Sequence, residues 1–142
     1  MTNAHSMFPG QQARCWHPVA YASEVADRPA AVTLLGEAVV VWRTLDGRAH
    51  AMRDLCIHRG TALSLGWVAD DYLVCPYHAW RYDASGACVR IPQSALPTIP
   101  AKARTPVYRC QESYGLIWVC LSADEPAYAL PEVPELGSGR YK

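Results

Sequence analysis

Short apolar runs separated by turn residues occur along the chain between residues 16 and 121. They are rich in β-branched and aliphatic residues, and each is too short for a helix with one apolar face. Runs of this kind predict strands. The predicted strands cover residues 31–35, 38–44, 48–53, 72–74, 79–82, 87–91, 107–112 and 116–121.

Turn residues between neighbouring runs predict that several of these strands form hairpins. Asp46-Gly47 separates the second and third runs, and we expect both residues to adopt positive φ. The segments 83–86 and 113–115 also contain glycine and separate two further pairs of runs. Between the runs at 87–91 and 107–112 the chain is rich in proline, which favours an extended segment that crosses between strands. The fold class predicted from this pattern is all-β.

Composition fits one folded domain without strong overall charge. The chain has 142 residues, of which 51% are hydrophobic and 18% charged, so a packed core is expected. Thirteen basic residues balance thirteen acidic ones. Net charge therefore indicates neither a nucleic-acid partner nor an anionic membrane surface.

The N-terminal sequence has no basic cluster followed by an apolar run, so no secretory signal is indicated. No apolar stretch approaches the roughly 18 residues of a membrane span. We therefore expect a cytoplasmic protein. In a reducing compartment, the six cysteines are expected to be metal ligands or buried thiols instead of disulfides.

Two short motifs pair a cysteine with a histidine, namely Cys56-x-His58 and Cys75-x-x-His78. A zinc finger usually groups its cysteines and its histidines in separate pairs, whereas each motif here mixes them. A catalytic Cys–His dyad would leave the second copy unexplained. Four unrelated core residues are a further alternative. The mixed pairs favour a Rieske-type [2Fe–2S] centre, in which two histidines replace two cysteines on one iron.

The spacing also suggests how the two motifs converge. In an extended segment Cys56 and His58 project to one side, while Ile57 is expected to point away into packing. Residues 75–78 are expected to form a tight turn that brings His78 to the same place. We expect the cysteines to hold an inner iron and the histidines an outer iron nearer solvent.

The sequences CIHRGTALSLG (56–66) and CPYHAWRYDASGACVRIP (75–92) resemble the Rieske domain of ring-hydroxylating and related mononuclear iron oxygenases. The resemblance extends upstream to WHPVA (16–20) and downstream to YGLIWV (114–119). It implies an antiparallel β-sandwich with a small cluster-binding subdomain at about residues 51–92. It also implies four residues beside the cluster, with the tryptophan near a partner domain: Arg59, Gly60, Tyr77 and Trp80.

The chain departs from that family pattern at three positions. Ala79 stands where the family usually has glycine, so positive φ there would strain the second loop. Ile57 and Ala62 replace prolines that are common in the family.

Respiratory-complex Rieske proteins resemble the chain less. Thr61 and Tyr77 occupy the places of their two disulfide-forming cysteines, and Ala79 and Trp80 supply no hydroxyl after His78. Hydrogen bonds to the cluster sulfurs raise the reduction potential. Because no hydroxyl is supplied here, we expect a low midpoint potential, of about −150 mV or somewhat below zero.

A second iron site is not indicated. Once His58 and His78 are assigned to the cluster, only His5, His17 and His50 remain, and these suit surface or packing roles. We therefore expect an electron carrier without a catalytic iron of its own. A flavin reductase or ferredoxin would donate the electron, and an oxygenase catalytic domain would accept it.

Three hypotheses remain open at this point. The chain is the N-terminal part of an oxygenase α subunit, a free-standing Rieske-type ferredoxin, or a structural zinc module. The first agrees with the predicted organisation, which comprises a flexible arm at 1–15, the Rieske domain at 16–122 and a linker-like tail at 123–142.

Overall fold

The computed structural model describes residues 9–95 and 98–137. Two short helices, α1 and α2, comprise Pro9–Ala13 and Pro134–Gly137, and short 3-10 helices cover Ala22–Glu24 and Leu63–Leu65. The ten strands β1 to β10 are His17–Tyr21, Ala30–Leu34, Glu37–Arg43, Ala49–Arg53, Trp67–Ala69, Tyr72–Val74, Arg81–Tyr82, Cys88–Arg90, Val107–Ser113 and Leu116–Cys120. The predicted all-β fold class is confirmed.

The strands form two antiparallel sheets. The larger sheet has six strands in the order β1-β10-β9-β4-β3-β2, and its outermost strands β1 and β2 also contact each other. The smaller sheet has four strands in the order β5-β6-β7-β8. The small sheet contains only residues 67–90, and it lies within the segment expected to form the cluster-binding subdomain.

Strand β3 separates two parts of the hydrophobic core. Val39 and Val41 are fully buried in one cluster, with side chains from β10. Val40 and Trp42 are fully buried in the other, with side chains from the small sheet. Because successive side chains of a strand point to opposite faces, this one strand joins the two halves of the core. Burial of Val40 and Trp42 against the small sheet therefore holds the two sheets together.

Two of the three hairpins of the large sheet differ in their turns. Between β9 and β10, Tyr114 and Gly115 both adopt positive φ (59° and 72°), as in a two-residue hairpin turn. Between β3 and β4, only Gly47 does so (φ 84°). The loop there has three residues, closed by Thr44 N–H donating to Arg48 O, so the expectation of positive φ at Asp46 is wrong.

The sequence pattern missed some elements and extended others. Strand β5 escaped prediction because Trp67–Ala69 has only three residues and Trp67 is half exposed. The strand predicted at 79–82 shortens to Arg81–Tyr82 because Ala79 adopts positive φ. Residues 1–8 of the predicted arm and 138–142 of the predicted tail lie outside the described residues. The described parts of the arm and the tail contact each other, because Ala127 N–H donates a hydrogen bond to Arg14 O.

Among residues 9–95 and 98–137, no helix is long and apolar enough to cross a membrane. All six cysteines are free thiols.

Candidate metal centre

The four residues singled out in the sequence lie on two loops at one end of the small sheet. Cys56 and His58 follow β4, and Cys75 and His78 follow β6. The structure brings them together as two pairs: the thiols of Cys56 and Cys75 interact with each other, and so do the imidazole rings of His58 and His78.

The first loop is closed by backbone hydrogen bonds around Cys56. Its N–H donates to Thr61 O (2.8 Å), and its carbonyl accepts from the N–H of Gly60 (2.9 Å). Gly60 has φ 73°, which glycine adopts without steric cost. Just before the loop, the buried carboxylate of Asp54 accepts hydrogen bonds from the N–H and hydroxyl of Ser64. These bonds fix the loop to the following 3-10 helix.

The second loop reverses direction between Cys75 and Trp80. Cys75 N–H donates to Trp80 O (2.8 Å), and Gln93 Nε2 donates to His78 O (2.8 Å). His78 and Ala79 both adopt positive φ, at 71° and 58°. Each costs about 1–2 kcal/mol for a residue with a Cβ. Ala79 therefore strains the loop, as expected from the missing glycine.

The thiols lie inside and the imidazoles lie nearer the surface. Cys56 and Cys75 are 2% and 0% exposed, whereas His58 is half-buried and His78 is exposed. The two imidazole ring centres are 5.2 Å apart. A group held by all four residues would thus have a buried sulfur side and a nitrogen side facing outward.

Aromatic rings pack against both imidazoles. Trp80 stacks on His58 with ring centres 4.3 Å apart and planes 7° from parallel, and Tyr77 stacks on His78 at 4.0 Å. Arg59 is exposed and acts electrostatically on His58. Thus Tyr77, Trp80 and Arg59 lie beside the donors, and Gly60 shapes the first loop.

The first loop differs from the prediction at Ile57. Ile57 is 41% exposed, so the expectation that it points into packing is wrong. The loop turns outward here, and its side chain lines an open groove with Trp80.

Sequence reasoning also missed Tyr82. Its ring is fully buried, and its hydroxyl lies 3.2 Å from Cys56 Sγ while accepting a hydrogen bond from Ile57 N–H (3.3 Å). A tyrosine in a strand is usually a core residue, and only its position two residues after Trp80 could have suggested a role. A hydroxyl thus reaches a cysteine sulfur although Ala79 and Trp80 supply none.

Electrostatics at the site depend mainly on burial. Burial, with the Cys56 thiol next to it, raises the pKa of Cys75 to about 11. Desolvation, with Arg59 and His78 nearby, lowers the pKa of His58. The histidine is thus kept in the neutral form that binds metals, whereas the thiols must release protons to do so.

The donor set fits an iron–sulfur cluster better than a single ion. In the part of the chain that the structure describes, no three His, Cys, Asp or Glu side chains converge on one metal position. A structural zinc ion needs four ligands around one point, whereas a two-iron cluster takes two donors per iron. In addition, the buried Nδ1 of His58 has no hydrogen-bond partner among the described residues. Buried polar atoms are normally paired, so this nitrogen suits a ligand.

The chain is similar in sequence to part of a demethylase and part of an oxygenase. It is 42% identical over 122 residues to methylxanthine N1-demethylase NdmA of Pseudomonas putida, which covers 82% of this chain and 34% of that protein. Over 126 residues it is 37% identical to aminopyrrolnitrin oxygenase PrnD of Pseudomonas fluorescens, covering 85% of this chain and 35% of the relative.

Solved structures show the same likeness. The fold matches Pseudomonas putida NdmA with a TM-score of 0.74 and 43% identity, over 78% of this chain and 35% of the other. It matches dicamba monooxygenase, solved with non-heme iron and dicamba, with a TM-score of 0.79 and 28% identity, over 90% of this chain and 40% of the other. The chain spans about a third of the length of the curated relatives that it matches.

Together, the antiparallel fold and the paired thiols and imidazoles define an iron–sulfur protein of the oxidoreductase class. The Rieske [2Fe-2S] domain matches the sequence over residues 15–100. The chain belongs to this family, and the relatives that it matches do so through the Rieske N-terminal domains of ring-hydroxylating oxygenase α subunits. Membership implies one Rieske-type [2Fe–2S] cluster and a role in electron transfer.

Proposed function

We propose that Cys56 and Cys75 bind the inner iron of this cluster, and that His58 and His78 bind the outer iron. We further propose that the domain takes single electrons from a flavin reductase or ferredoxin and passes them to the mononuclear non-haem iron of an oxygenase catalytic domain. On this proposal the chain has no catalytic iron site of its own.

One observation supports the ligand assignment above all: the four donors form two like pairs with opposite exposure. The buried thiol pair lies under the loops, and the imidazole pair lies at the surface. A Rieske cluster requires this division, with both thiolates on one iron and both imidazoles on the other.

When bound, such a cluster accepts and releases one electron at a time. The residues of the chain hold it and control its surroundings. The two loops keep water from the thiol side, where Leu63 and Leu73 are also fully buried. On the other side, the exposed His78 reaches the surface, so a docked partner can come within a few ångströms of a ligand.

The relatives suggest the direction of electron flow. They include a demethylase and an oxygenase of small aromatic molecules, and dicamba monooxygenase was solved with non-heme iron. The chain aligns with about a third of the length of such proteins. A domain of this kind is suited to supply electrons to the iron that acts on substrate. We propose no particular substrate for the associated oxygenase.

The ligand assignment is tested by iron and acid-labile sulfide analysis of protein purified without air. We expect two irons and two sulfides per chain. His58→Ala and His78→Ala should each lose the cluster or change its spectrum, and Cys56→Ser and Cys75→Ser should lose it.

His50→Ala is the matched control. His50 lies in β4 with Nε2 3.0 Å from Thr44 Oγ1, within the same fold but away from the loops. We expect this variant to keep full iron and sulfide content. Wild-type protein that contains zinc, or a His78→Ala variant with an unchanged spectrum, would contradict the assignment.

A further inference from the structure

One side chain from outside the two loops holds the second loop at its tip. Gln93 lies after β8, and its Nε2 donates a hydrogen bond to His78 O (2.8 Å). In the part of the chain that the structure describes, no second donor reaches this carbonyl. The carbonyl belongs to the planar peptide that joins His78 to Ala79, so the hydrogen bond restrains ψ of the first residue and φ of the second.

A tight turn presents the side chain of Gln93. Ser94 N–H donates to Ile91 O (3.0 Å), which closes a β-turn. Pro92 occupies the second position of this turn, where its fixed φ is favoured. Ile91 is half-buried and packs against the core cluster beneath the two loops. The glutamine side chain therefore extends toward the second loop from a fixed base.

The peptide that Gln93 holds has an unfavourable conformation on both sides. His78 and Ala79 adopt positive φ in succession, at 71° and 58°. Strained conformations of this kind persist only where the surrounding structure holds them. The hydrogen bond from Cys75 N–H to Trp80 O closes the base of the loop, but it does not include the peptide at the tip. Without the bond from Gln93, this peptide can turn and relieve the strain.

The two imidazoles differ in how firmly packing restrains them. His58 is half-buried and stacks on Trp80 with ring planes 7° from parallel. His78 is exposed, and the ring of Tyr77 that stacks on it is itself 47% exposed. Because exposed rings restrain each other weakly, the direction of the His78 side chain depends mainly on its backbone.

We propose that Gln93 is a positioning residue for His78. By holding the peptide at the tip of the second loop, its amide keeps the His78 imidazole directed toward the position of the outer iron. Metal-binding side chains are commonly oriented by hydrogen-bonded neighbours, and here the neighbour acts through the backbone of the ligand residue. This inference rests on the proposed function, in which His78 is a ligand.

The test compares three variants of the cluster-containing protein, purified without air. Gln93→Met keeps the length of the side chain and removes the N–H donor, whereas Gln93→Lys keeps an N–H donor. Gln111→Met is the matched control, because Gln111 is exposed in β9 and lines a cavity with Gly47, at the turn between β3 and β4. The measurements are the rate of iron transfer from the oxidised protein to a chelator, followed by absorbance, and the EPR line width of the reduced cluster.

Gln93→Met should release iron at least about threefold faster than wild type, because loss of one hydrogen bond lets His78 leave the iron more often. Its EPR lines should be broader, since the imidazole then takes a wider range of orientations. Gln93→Lys should recover most of both wild-type values. Gln111→Met should match wild type in both measurements.

Removal of the strain gives a second check on the same role. Ala79→Gly permits positive φ without the steric cost of a Cβ, so the loop then depends less on Gln93. In an Ala79→Gly background, Gln93→Met should speed iron release by less than about twofold, because the two positions act on one peptide. An effect of Gln93→Met that is undiminished in this background would overturn the proposal.

Wild-type iron release and line width in Gln93→Met would also overturn it, while the proposed function survives. The same holds if Gln93→Met only lowers stability to urea, as a purely structural residue would, or if Gln93→Lys is as defective as Gln93→Met. If the wild-type protein holds no iron–sulfur cluster, or His78→Ala leaves the spectrum unchanged, the proposed function and this inference both fail.

Discussion

The six-stranded sheet and the two loops of the metal centre are stabilised in different ways. In the sheet, the four consecutive side chains from Val39 to Trp42 are fully buried, and the backbone pairs regularly with both neighbouring strands. In the loops, His78 and Ala79 adopt positive φ, and a buried nitrogen of His58 has no partner among the described residues. The sheet gains stability from burial, whereas the loops depend on their surroundings to keep a conformation suited to a ligand.

The largest difference should appear between a tryptophan of the large sheet and one on the edge of the small sheet beside the loops. Trp42 in the large sheet is fully buried, so Trp42→Ala should lower the free energy of unfolding by about 4 kcal/mol. Trp67 on the edge strand β5 is 48% exposed, and Trp67→Ala should cost clearly less, about 1 kcal/mol. Urea unfolding of both variants measures this. Equal losses would show that the large sheet does not dominate stability.

The next effect concerns function more than stability. Tyr82→Phe removes the hydroxyl beside Cys56 Sγ without changing the ring that fills the core. Since one hydrogen bond contributes about 1 kcal/mol, and such bonds raise the potential, we expect the midpoint to fall by about 40 mV. Redox titration followed by absorbance measures the shift. An unchanged midpoint would mean that the hydroxyl does not act on the sulfur.

Strain in the second loop predicts a change that increases stability. Ala79→Gly removes a Cβ at φ 58° and should raise the free energy of unfolding by about 0.5 to 1 kcal/mol. Ala49→Gly, in the regular strand β4, should lower it by a similar amount. Chemical denaturation of the two variants compares them. Loss of stability in Ala79→Gly would show that the loop is not strained at this residue.

The smallest effect concerns an ion pair of the large sheet. The hydrogen bond from Arg43 holds the pKa of Glu112 below its usual value of 4.5. The stabilisation is therefore fully present above about pH 4.5 and is lost as pH falls through the lower pKa of the folded state. Because Glu112 is 41% exposed, Glu112→Gln should cost only about 0.5 kcal/mol at neutral pH.

Unfolding of both proteins at about pH 7 and about pH 3 tests the sign. The difference between wild type and Glu112→Gln should shrink at the lower pH. A difference that grows on acidification would contradict this assignment.

The same contrast explains what could be predicted from the sequence. Strands such as β6 and β10 were found because apolar runs bounded by turn residues directly reflect burial. The four candidate donor positions were singled out because a mixed Cys and His spacing is rare, and their role as ligands stays a prediction. The role of Tyr82 and the exposure of Ile57 were not found, since both depend on how the loops fold over each other.

Turn geometry was predicted only in part for a related reason. The sequences around Gly47 and Gly115 both indicate hairpins, but only the second has two residues at positive φ. Loop length and strand register decide between these turns, and neither is visible in a dipeptide.

The most direct test of the central claim is pulsed EPR of the reduced protein, purified without air and labelled with ¹⁵N in histidine only. We predict that the electron spin of the reduced cluster couples to nitrogens of two imidazoles. These couplings should be altered or lost in His58→Ala and in His78→Ala, and His50→Ala should keep both. A reduced cluster without histidine nitrogen couplings, or colourless protein that contains zinc, would contradict the account.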